Sequence, residues 1–73
     1  MPPIPTVSGA EAVRALERAG FLPVSQRGSH VKLRQADGRT VIVPMHRELA
    51  VGTLRSILRQ GGLTVEQFIA LLG

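Results

Sequence analysis

The chain has 73 residues, 44% of them hydrophobic and 19% charged, with no cysteine and a formal net charge of +4. This length holds one core and excludes two, and the lack of cysteine excludes disulfides and thiolate-bound metal. Two histidines sixteen positions apart, with no carboxylate cluster between them, argue against any metal site, and no cofactor is expected. The apolar runs 41–45 and 68–72 are far too short for a membrane span, and the opening residues lack the layout of a signal peptide. A cytoplasmic protein is therefore expected, in keeping with the missing cysteines.

Residues 1–6, proline-rich, read as a flexible N-terminal tail, and 7–73 as a single domain. Ser8-Gly9-Ala10-Glu11 has the spacing of a capping box, in which hydroxyl and carboxylate satisfy orphan amides at a helix start. Val7 is placed to staple onto Ala12. Ala12, Val13, Leu16 and Ala19 repeat at helical spacing, and Gly20 is suited to end the helix. A short strand follows over roughly Leu22–Gln26, where Pro23 demands a sheet edge or a strand start. Gly28-Ser29 turns the chain into a second strand, His30–Gln35, and Asp37-Gly38 marks a tight hairpin into a third, Thr40–Val43.

Met45 to Val51 reads as a connector. Gly52-Thr53 opens a second helix with Leu54, Ile57 and Leu58 inside and Arg55 and Arg59 outside, and Gly61-Gly62 closes it. Thr64-Val65-Glu66-Gln67 is a second capping box for a last helical stretch. Helix, three antiparallel strands, helix and short helix make an α+β fold with the helices on one face of the sheet, the order of a double-stranded-RNA-binding domain.

Charge is unevenly placed. Between Phe21 and Arg59 stand seven cations against Asp37 and Glu48, and eight of the nine cations in the chain are arginine, the side chain suited to bidentate phosphate contact. Side chains alternate along a strand, so His30, Lys32 and Arg34 share one face while Val31 and Leu33 share the other. Helices on the Val31/Leu33 face leave His30 and its two cations on the open side. RNA carries its own nucleophile, the 2′-hydroxyl, and its cleavage needs a base, an acid and positive charge at the phosphoryl oxygens. An imidazole, with a free-state pKa of about 6.5, beside Lys and Arg supplies a minimal set without metal. Periodicity and charge also admit an ordinary surface histidine. His46, on the connector beside Arg47, reads as a second acid/base, a phosphate contact or a loop residue. The only aromatics, Phe21 and Phe68, fall at core positions, so RNA contact is expected through phosphates and shape rather than stacked rings.

Ser8-Gly9, Ala19-Gly20-Phe21, Gly28-Ser29-His30, Asp37-Gly38-Arg39, Val43-Pro44-x-His46 and the run from Gly52 to Phe68 resemble, in order, the HicA (YcfA-like) mRNA interferase toxins. The resemblance covers about Val7 to Leu72. It implies a toxin of a type II toxin–antitoxin system with a double-stranded-RNA-binding-like fold, acting as a metal-independent endoribonuclease on mRNA. It places the essential histidine at His30 and implies a HicB-like antitoxin that covers the active site. Lys32, Arg34, Arg27, Arg39 and Ser29 are the expected RNA and phosphate contacts, with His46 and Arg55 as secondary candidates. The chain departs from the family pattern at Val31, where many members carry a second histidine or an aromatic, and at Ala10 and Val51, often basic. Two other readings compete: a non-catalytic RNA-binding module using the same face, and a protein-interaction domain whose arginines dock an acidic partner.

Overall fold

Ser8 and Glu11 open the first helix as their spacing predicts. The Ser8 hydroxyl accepts from the Glu11 amide at 3.0 Å and the Glu11 carboxylate accepts from the Ser8 amide at 2.9 Å. That backbone bond, then the Ser8 hydroxyl and the nearby Arg14, hold the Glu11 carboxyl below its ordinary value of 4.5. The computed structural model describes residues 3–73; Met1 and Pro2, which fall in the segment read as a tail, lie outside the described residues. Ile4, within that same segment, packs against the core.

The elements run α1 (Gly9–Arg18), β1 (Leu22–Arg27), β2 (His30–Arg34), β3 (Thr40–Pro44), α2 (Val51–Gly61) and α3 (Val65–Leu72). Each strand differs by one residue at its end from the sequence expectation, and α2 starts at Val51 rather than Gly52. The sheet is antiparallel in the order β1-β2-β3, which puts Pro23 on an edge strand. Gly28, with φ of 57°, takes the first central place of the two-residue β1–β2 turn, where a Cβ would be strained.

Val31, Leu33, Val41 and Val43 form the inner face of the sheet and are buried beneath the helices with Ala12, Leu16, Leu54, Ile57 and Phe68. Thr64 and Gln67 form the second capping box, and Arg18 on α1 donates to the Leu71 carbonyl at 2.6 Å. This contact ties α3 across α1 and satisfies a carbonyl that the last turn leaves free.

The connector after β3 is laid along the start of α1. Gly9 donates to the His46 carbonyl at 2.9 Å, and Leu49 donates to the Val7 carbonyl at 2.8 Å. A Cβ on Gly9 would collide with the Pro44 carbonyl and come within 2.8 Å of the Met45 Cα. Gly9→Ala is accordingly expected to cost about 1–3 kcal/mol by overpacking, read as a lower urea midpoint. An unchanged midpoint would mean that the end of β3 yields freely.

Candidate nucleic-acid interface

The outer face of the sheet is assembled by register. Arg27 pairs with His30, Ser25 with Lys32 and Leu22 with Arg34 across β1 and β2. On the other side His30 pairs with Pro44, Lys32 with Ile42 and Arg34 with Thr40. Paired residues point to the same face with Cβ atoms about 4.5–5.5 Å apart. Three rows therefore cross the open face: Arg27–His30–Pro44, Ser25–Lys32–Ile42 and Leu22–Arg34–Thr40.

The two-residue Gly28-Ser29 turn sets which side chains of β1 join the first two rows, and a β-bulge sets the third. The register slips between Pro23 and Ser25, leaving Val24 as the extra residue. Counting back from the turn, Arg27 faces His30 and Ser25 faces Lys32; beyond Ser25 the extra residue brings Leu22 rather than Pro23 opposite Arg34 on the open face. Arg27 and His30 flank the Gly28-Ser29 turn, which holds them side by side.

Ser25, Arg27, His30, Lys32 and Ile42 line a pocket of about 390 Å³ on this face. His30 and Arg27 are exposed, and Lys32 is half-buried between them and Ile42. Among the described residues the one ion pair joins Arg39 to Asp37 at 3.8 Å, so the pocket's cations carry no carboxylate partner there. The pocket thus combines one imidazole with two cations. Such a set suits an anion that must exchange a proton. No cluster of three or more His, Asp or Glu side chains that would hold a metal ion occurs among the described residues.

The remaining sequence candidates are dispersed. Arg34 shares the open face one row beyond Lys32, with its Nε 3.5 Å from the Thr40 hydroxyl. Ser29 sits in the turn, its carbonyl accepting from the Met45 amide at 2.6 Å. Arg39 turns away toward the end of α2: its guanidinium donates to the Gly61 carbonyl at 3.2 Å and occupies the space that a side chain on Gly62 would need. It covers the negative end of that helix. His46 is exposed on the connector, outside the pocket lining. Arg55 borders a separate groove between α2 and α3, with Arg59 and Glu66.

Ser25 and Ile42 were not singled out by sequence reasoning. Ile42 was legible in principle, because the Asp37-Gly38 hairpin places Thr40, Ile42 and Pro44 beside the outer residues of β2. So was Ser25, because the two-residue Gly28-Ser29 turn sets Arg27 opposite His30 and Ser25 opposite Lys32.

Helix, antiparallel three-stranded meander and two helices on one face define an α+β domain of the double-stranded-RNA-binding type. Residues 9–63 match the family described as the HicA toxin of bacterial toxin–antitoxin systems, and the chain belongs to that family. It is a toxin of a toxin–antitoxin pair. No curated protein matches it. No helix among the described residues is long and apolar enough to cross a membrane.

Proposed function

We propose that this toxin is an endoribonuclease that cuts mRNA in the cytoplasm without a metal ion, and that a HicB-like antitoxin silences it by covering the open face of the sheet. The observation that carries this reading is the convergence of Arg27, His30 and Lys32 on one pocket, in a chain of the HicA toxin family.

In this reading an mRNA phosphate lies between the guanidinium and the ammonium, and His30 moves the proton. The 2′-hydroxyl attacks the adjacent phosphorus, the bond from phosphorus to the 5′-oxygen breaks, and the hydroxyl's proton ends on the departing oxygen. The products carry a 2′,3′-cyclic phosphate and a 5′-hydroxyl. Arg27 and Lys32 neutralise the charge that builds on the non-bridging oxygens. Arg34, about 13 Å from His30 along β2, extends the cationic track toward a neighbouring phosphate.

Purified protein incubated with an mRNA in excess EDTA tests the proposal directly. Cleavage that survives chelation and yields cyclic-phosphate ends is the expected result. RNA that is bound and left intact would instead make this a non-catalytic RNA-binding module. Tight pairing with a protein, insensitive to salt and without RNA affinity at low salt, would make it an interaction domain.

A further inference from the structure

One feature of the pocket is unused by the proton chemistry. Ile42 is 46% exposed and forms the apolar part of a cavity otherwise lined by two cations, an imidazole and a hydroxyl. Isolated exposed aliphatic residues are ordinary on any surface. Ile42 is set apart by its place: within a concavity, next to Lys32 in the same row, and diagonal to His30 at about 7–8 Å. Its strand position is also held firmly, because the Gln60 side chain of α2 accepts from the Ile42 amide at 3.2 Å on the free edge of β3.

A pocket with an apolar floor and a few convergent charges suits a ligand that is flat and apolar at one end and anionic at the other. A nucleotide has that form only when its base is free. In a duplex the base is stacked and paired, and its faces are covered. We infer that Ile42 is the seat of an unpaired nucleobase next to the scissile phosphate, so that the toxin selects single-stranded RNA and takes one base out of the strand's stack as it binds. The inference rests on the ribonuclease reading of the same pocket. With the phosphate held by Arg27 and Lys32 against His30, the base of that nucleotide reaches the neighbouring row and lies on the isoleucine, alongside the aliphatic stem of Lys32. An aliphatic floor contacts any base face, which predicts tolerance of sequence together with intolerance of pairing.

The test uses a single-stranded oligoribonucleotide with one mapped cleavage bond, in which an abasic ribonucleotide is walked through the flanking positions. Wild-type protein is expected to show one position, adjacent to the cleaved bond, where loss of the base raises KM about five- to tenfold with little change in kcat. Ile42→Ser is expected to raise KM on the intact strand by a similar factor and to abolish sensitivity to the abasic position, while Ile42→Val retains both. Pairing the strand with its complement should slow cleavage by wild type at least about tenfold.

The abasic series needs no variant, so it stands even if Ile42→Ser folds poorly. Cleavage by wild type with no abasic-sensitive position overturns the base seat and leaves the ribonuclease reading intact. Failure of wild type to cut any RNA overturns both. If Ile42→Ser cleaves normally but loses affinity for the antitoxin, the isoleucine is a protein contact and the base seat is overturned.

Discussion

His30→Ala is expected to lower the single-turnover rate of RNA cleavage at saturating protein by about 10²–10⁴-fold, the range that a positioned general acid or base supplies. Affinity for RNA should change little. The imidazole is exposed at the start of β2, where substitutions away from core, caps and networks stay within about 0.5 kcal/mol of neutral. Arg27 and Lys32 remain in place, and in the proposed mode they carry the electrostatic part of binding. The separation of rate from affinity is the informative part. A histidine that merely touched phosphate would lose both together, so a parallel fall in binding and rate would remove its proton-transfer role. Cleavage at the wild-type rate would remove His30 from the site altogether. His30→Gln, which keeps a polar side chain of similar reach, should be as inactive as alanine.

The largest effect on stability is expected at Phe68. Its ring is fully buried on α3, in a chain whose only other aromatic is Phe21. Phenylalanine-to-alanine changes in cores cost about 3–5 kcal/mol. A domain of this length has only about 4–11 kcal/mol in total at the usual stability per residue. Phe68→Ala should therefore lower Tm by at least about 12 °C and leave a substantial unfolded fraction at physiological temperature. Ile69→Ala is the matched control on the same helix, since Ile69 is 38% exposed and should lose far less. Equal Tm values for the two variants would show that α3 does not complete the core. The outcome also bears on domain extent, because the family match ends at residue 63 while Phe68 lies beyond it.

Most of the architecture was legible because it is written in local chemistry. Ser8 with Glu11 and Thr64 with Gln67 form the capping boxes that their spacing predicts. Gly38, with φ of 91°, serves the β2–β3 turn, in which the Asp37 carboxylate accepts from the Arg39 amide at 2.8 Å. Alternation along β2 sorted Val31 and Leu33 from His30, Lys32 and Arg34, and burial follows that division. Each of these rests on residues within four positions of one another.

The assembled site was legible only in part. Charge made Arg27 and Arg39 expected contacts and Arg55 a secondary candidate, yet Arg27 faces the pocket, Arg39 covers the end of α2 and Arg55 borders another groove. The sequence by itself determined the elements, the buried face and the strand that carries His30, since periodicity and capping act over a few residues. The tertiary structure alone decided that Leu22 rather than Pro23 meets Arg34 on the open face, and that Arg39 is drawn off to the end of α2. The physical reason is that one extra residue at Val24 reverses the facing of the chain before it, and that Arg39 is held by a carbonyl 22 positions away; no local pattern records either.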